Sequence, residues 1–142
     1  MEGRAFLGVA RRLAAAGSEA DWRTAAGRAY YALIQEAAAA LKRWGLPAPP
    51  RNQFHHHVRQ LFTFSRIPDL KAIGQVLEQN GNLRSEADYR LDRPGSFATA
   101  YRASWAVQEA DKVIALLDAI EADPTRRSAA SADVQKTLPP TP

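Results

Sequence analysis

The sequence predicts an all-α protein, an up-and-down helical bundle of about five helices, and three observations carry that prediction. From Trp22 the apolar residues recur as Trp22, Ala26, Ala29, Leu33, Ala37, Ala40 and Trp44. Alternating steps of four and three trace one stripe of a long helix. No segment shows the alternation of a half-buried strand, and the helical stretches are separated by proline and glycine clusters.

Each element follows from local chemistry. Residues 4 to 15 form a short amphipathic helix, with Phe6, Leu7, Val9, Ala10 and Leu13 on one side and Arg4, Arg11 and Arg12 on the other. Gly17 ends it. Ser18 is an N-cap for the second helix, from about Glu19 to Trp44. Glu19 and Asp21 suit its positive end, Lys42 and Arg43 its negative end, and Gly45 is the stop. Leu46-Pro47-Ala48-Pro49-Pro50 is a stiff connector, since proline lacks the amide donor and restricts its predecessor.

A short third helix begins near His55 and turns Val58, Leu61, Phe62 and Phe64 inward. Pro68 opens a fourth, from about Asp69 to Leu91, with Leu70, Ile73, Leu77, Arg84, Ala87 and Leu91 at helical spacing. Asn80-Gly81-Asn82 predicts a kink or break in its middle, because a mid-helix glycine costs about 1 kcal/mol relative to alanine. Asp92-Arg93-Pro94-Gly95 is a turn, and Ser96 caps a fifth helix running to about Ala122. That helix carries Trp105, Val113, Leu116 and Ile120 beyond its main stripe, more than one face needs, which predicts packing on two sides. Residues 1–123 thus form one helical domain, while the Pro-, Ser- and Thr-rich stretch 124–142 is expected to be disordered.

At 142 residues the chain suffices for one domain with a proper core. It has no cysteine, which rules out disulfides and thiolate metal sites and suits a reducing interior. The start Met1-Glu2-Gly3-Arg4 lacks the apolar core of a signal peptide, and a cytoplasmic protein is the expectation. Of the net charge of +4, Arg126, Arg127 and Lys136 against Asp133 place half in the last stretch. The remaining basic bias permits RNA as a partner. No glycine-rich phosphate loop or dinucleotide fingerprint is present, so no cofactor is expected.

Two constellations carry candidate chemistry. Arg28 lies amid the apolar stripe of the second helix, where a lone charge is costly, and asks for a carboxylate partner. Arg84 and Asp88, four apart, share a helix face, and Asp88 is the best partner across the bundle. The set has two readings: a buried Arg28–Asp88 ion pair that fixes helix register, or a ligand or phosphate site lined by Arg28, Tyr31, Arg84 and Tyr89. The second constellation is His55-His56-His57. Adjacent helical residues point about 100° apart, so the three cannot converge on one ion, and no metal site is expected. The tyrosines at 30, 31, 89 and 101 and the tryptophans at 22, 44 and 105 are read as core, with base stacking as the alternative.

Arg28-Ala29-Tyr30-Tyr31-Ala32, then His55-His56-His57-Val58 with Phe62, then Arg84-Ser85-Glu86-Ala87-Asp88-Tyr89 resemble, in that order, the HEPN domain family, over roughly residues 5 to 120. The resemblance implies a helical bundle, often a homodimer, of prokaryotic toxin-antitoxin and defence systems. Such domains are often encoded beside a small nucleotidyltransferase, which makes that protein, a nucleotide or RNA an implied partner. Many members are metal-independent RNases with an arginine four to six residues before a histidine. Arg51 with His56 or His57 fits that spacing, although it follows the proline connector rather than opening a late helix. The late segment at Arg84 has Asp88, Tyr89 and Arg90 at those places. Metal-free RNA cleavage needs a base for the 2′ proton, an acid for the leaving oxygen and a cation for the phosphorane, all of which histidine and arginine can supply. The family comparison sets His55 in register with Val58 and Phe62, as the structural histidine. Two functions follow: a binding module without catalysis, or an RNase toxin using Arg51 with His56 or His57.

Overall fold

A computed structural model describes residues 1–47 and 49–137. Among the described residues there are six α-helices and no strand: α1 (Ala5–Ala14), α2 (Glu19–Arg43), α3 (Phe54–Thr63), α4 (Pro68–Tyr89), α5 (Tyr101–Ala122) and α6 (Pro124–Lys136). The all-α bundle expected from the periodicity is the fold.

The middle of that bundle is α2, which packs against α1, α4 and α5. Its alanines 25, 26, 29, 32, 37 and 40 are at most 1% exposed, so neighbouring helices approach closely on every inward side while Leu33 and Ile34 fill the space between. Both ends are fixed as the residue chemistry demands. The Ser18 hydroxyl accepts from the Asp21 amide, and Gly45, at φ +88°, lets the Gly45 and Leu46 amides reach the Lys42 and Leu41 carbonyls. Arg4 clamps the start of α1 to two neighbours. Its amide and Nε donate to the buried Glu36 carboxylate at 2.9 Å, and its guanidinium reaches Asp118 at 2.8 Å.

Four expectations are corrected. No break occurs at Asn80-Gly81-Asn82, because tertiary contacts outweigh the propensity: Gly81 leaves room for the Tyr30 ring and Arg59, and the buried Asn80 amide donates to the Ala106 carbonyl of α5. Ser96 does not cap the fifth helix. A 3-10 turn at Gly95–Phe97 buries Phe97 completely, both the amide and the hydroxyl of Ser96 donate to Glu86 at 2.8 Å, and α5 starts only at Tyr101. Phe64 and Leu91 are exposed, since each lies beyond the last full turn of its helix.

The fourth correction concerns the C-terminal stretch, expected to be disordered. Residues 124–136 form α6, capped by Asp123, whose carboxylate accepts from the amides of Thr125 and Arg126, with Pro124 in the first turn. Ala130 and Val134, four apart, are buried against the bundle. Ser131 and Gln135 donate to the Trp44 carbonyl at the end of α2, and the Ser65 hydroxyl donates to Asp133. Leu138 to Pro142, the rest of that stretch, lie outside the described residues. The surplus apolar residues of α5 are accounted for, because α1, α2, α4 and α6 all pack on it.

Candidate functional site

The buried arginine is not Arg28 but Arg23, whose residue is 9% exposed. Its guanidinium donates to the carbonyls of Glu86, Ala87, Arg90 and Arg93 at 2.9–3.0 Å, and to Glu19 one turn before it. It also sits 5.1 Å from the Phe97 ring centroid. A cation there gathers carbonyls at and just beyond the C-terminal end of α4, where the helix dipole is negative, including those of Ala87, Arg90 and Arg93; the Glu86 carbonyl accepts from the Arg90 amide as well. The anticipated Arg28–Asp88 ion pair is therefore overturned. Asp88 pairs within its own helix, 3.0 Å from Arg84 Nε, with both side chains roughly 40% exposed. Arg28 is exposed and lies 5.6 and 5.9 Å from the ring centroids of Phe6 and Tyr31. Among the described residues, no carboxylate is within ion-pair distance of it.

Arg28, Tyr31, Arg84 and Asp88 nevertheless line one open cleft of about 510 Å³, together with Arg23, Tyr30 and His55. Three helices build it: α2 contributes Arg28 and Tyr31, α3 contributes His55, and α4 contributes Arg84 and Asp88. Asp88 is engaged by Arg84, and Arg23 by carbonyls and Glu19, so among the described residues Arg28 is the cation of this cleft left without a counter-charge. Polar groups, exposed cations and an aromatic edge around one concavity suit a phosphate-bearing ligand.

The histidine that enters this cleft is His55. The Tyr30 hydroxyl lies 2.9 Å from His55 Nδ1. Burial pushes the Tyr30 phenol above its ordinary pKa, against the pull of Arg59 and Arg84. Burial, then Arg84 and Arg59, hold His55 below the usual histidine value. The phenol therefore stays protonated and the imidazole neutral, and we assign the hydroxyl as donor and Nδ1 as acceptor, which puts the ring proton on Nε2.

The other sequence candidates lie elsewhere. Arg51 is exposed in the 3-10 turn Arg51–Gln53, His56 is exposed, and neither lines the cleft. His57 faces an apolar groove of about 450 Å³ with Leu41, Leu46, Phe54 and Leu61. The three histidines thus diverge, and among the described residues no group of three or more potential ligands could hold a metal ion. Tyr89 is 74% exposed on the far side of the α4 ridge, and Tyr31 and Tyr101 are exposed too, so these three tyrosines are not core. Tyr30 and Trp44 are buried.

Sequence reasoning missed Arg23 and gave His55 a packing role only. Glu19 four residues before Arg23 was the available signal for the first; none in the sequence joined His55 to Arg28 and Arg84. No helix of the described residues is long and apolar enough to cross a membrane. No protein-family model, curated protein or solved structure matches the chain.

Proposed function

We propose that this chain is a HEPN-like helical module of a prokaryotic toxin-antitoxin or defence system, acting in the cytoplasm, that binds the phosphate of a nucleotide or RNA in the cleft between α2, α3 and α4. The three segments that carry the resemblance, at residues 28–32, 55–58 and 84–89, lie on the three helices that meet there. The observation that carries the binding function is Arg28, an exposed guanidinium with no carboxylate partner among the described residues, held by aromatic rings at the mouth of a concavity it shares with Arg84. A guanidinium is weakly hydrated and always charged, so a phosphate is its natural complement. Homodimerisation and a nucleotidyltransferase-type partner belong to the same proposal and rest on the resemblance alone.

Anisotropy of labelled short RNA, with titrations of AMP and ATP, tests this function. Arg28→Glu lowers affinity at least tenfold if the cleft is the site, whereas unchanged binding rejects it.

One observation favours a second function, metal-independent RNA cleavage. His55 presents a neutral imidazole, oriented by Tyr30, beside the guanidiniums of the cleft. An RNase assay with His55→Ala, set beside Arg51→Ala and the pair His56→Ala/His57→Ala, shows which histidine, if any, cleavage requires. Absence of cleavage by the wild-type chain leaves the binding module.

A further inference from the structure

A second cleft, of about 590 Å³, lies across α4 from the first and is lined by Ser85, Glu86, Tyr89, Arg90 and Arg93. Arg90 and Arg93 are exposed, and among the described residues neither side chain has a hydrogen-bond or ion-pair partner. Their backbone, by contrast, is fixed, because the carbonyls of both are held by the buried Arg23 at 3.0 and 2.9 Å. Glu86, the carboxylate of this cleft, accepts from the amide and hydroxyl of Ser96 and keeps its charge, which offsets part of that of Arg90 and leaves Arg93 the less compensated of the two. Tyr89, which lines the second cleft, has 74% of its surface free. Arg84 joins the two clefts: it lines the first, and its guanidinium carbon lies 5.9 Å from the Tyr89 ring centroid.

We propose that the two clefts form one track for a single-stranded nucleic acid, which crosses the α4 ridge with a base stacked on Tyr89 and its downstream phosphates on Arg90 and Arg93. This inference rests on phosphate binding in the first cleft and names the ligand as a strand rather than a mononucleotide. A free mononucleotide has no use for a second pair of cations beyond an exposed ring. A duplex keeps its bases stacked on each other and gives Tyr89 nothing to stack on, whereas a single strand offers a π-face at every residue and a phosphate between each pair.

The probes are UMP and labelled oligouridylates of about 2, 4, 8 and 12 nucleotides, with oligothymidylates of the same lengths to separate RNA from DNA. Affinity is expected to rise with length and then level off. Tyr89→Ala weakens the longer oligomers about tenfold and leaves UMP and the dinucleotide within about twofold, and Tyr89→Phe restores the stack. Arg90→Ala/Arg93→Ala lowers the salt slope for the longer oligomers by roughly one unit. Tyr89 is exposed, so its replacement leaves the fold intact, which thermal melts verify. Length-independent affinity, or full affinity of Tyr89→Ala for the longer oligomers, overturns the track. If Arg28→Glu abolishes binding while Tyr89→Ala does not change it, the first cleft stands and only the extension falls. If Arg28→Glu changes nothing, both fall.

Discussion

Tyr30, in the middle of α2, and His55, in the first turn of α3, are joined by a 2.9 Å hydrogen bond with their rings 5.5 Å apart. That bond ties the segment after the proline connector to the central helix and aims the imidazole into the arginine-lined cleft. Tyr30→Phe keeps the ring and deletes the donor. Because the hydroxyl stabilises the neutral imidazole, its loss raises the His55 pKa toward the ordinary value and costs about 1 kcal/mol of stability. Proton NMR titration of the His55 imidazole in the wild type and in the variant checks the direction. A His55 pKa that stays put or falls contradicts the donor assignment.

The same depressed pKa makes stability depend on pH. Burial, then Arg84 and Arg59, lower the folded-state value, so the unfolded chain binds more protons at this site as pH falls. The stabilisation is complete above the unfolded histidine value, about 6.5, and is lost as pH drops through the folded value. Urea unfolding at a series of pH values should give a stability that declines on acidification through that window, with a smaller decline in His55→Gln. An identical slope in the variant would assign the acid sensitivity to other groups.

Arg23 and Arg28 are expected to behave oppositely. Arg23→Met keeps much of the apolar stem but leaves the carbonyls of Ala87, Arg90 and Arg93 without their donor, the Glu86 carbonyl keeping the Arg90 amide, and unpairs Glu19, a loss of about 3 kcal/mol. Arg28→Ala removes an exposed side chain and stays within about 0.5 kcal/mol. Asp88→Ala breaks only an exposed pair within one helix, which is worth about 0.5 kcal/mol. Denaturant unfolding of the three variants ranks them. A large effect at Asp88 and a small one at Arg23 would restore the cross-bundle pair expected from the sequence.

The helices were legible because their signals are local. The stripe from Trp22 to Trp44, the Ser18 cap and the Gly45 stop all act within a turn or two, and the structure has α2 ending one residue from where they place it. What was not legible depends on which distant groups meet. Both Arg23 and Arg28 lie on α2 with apolar neighbours, and only the arrival of the α4 terminus decides which is buried. Likewise the triple histidine says that its members diverge, but not that His55 is the one facing Arg84. The Ser96 cap failed for a related reason: Glu86, ten residues earlier, takes both the amide and the hydroxyl as donors and holds Ser96 in the 3-10 turn, four residues ahead of the Ala100 position that precedes α5.

Composition misled most at the C-terminal stretch, and Val134 decides the matter there. Its side chain is fully buried, and with Ala130 it forms the narrow apolar stripe by which α6 is held to the bundle. The ion pair of Arg126 with Asp69, at 2.8 Å, is exposed and contributes little, whereas the part-buried hydrogen bonds of Ser65 to Asp133 and of Ser131 and Gln135 to the Trp44 carbonyl add to the apolar anchor. Val134→Ala removes buried methyl groups and should cost about 2 kcal/mol, and Val134→Asp, which buries an unpaired charge, should cost more. Alanine 129, exposed on the same helix, is the control: Ala129→Asp is expected within about 0.5 kcal/mol. Urea unfolding and amide exchange across 124–137 measure both. A disordered tail would leave Val134→Ala and Val134→Asp as silent as the control, with every amide of the segment exchanging at the free-peptide rate, while a docked α6 separates the pair from the control and protects the amides around Val134.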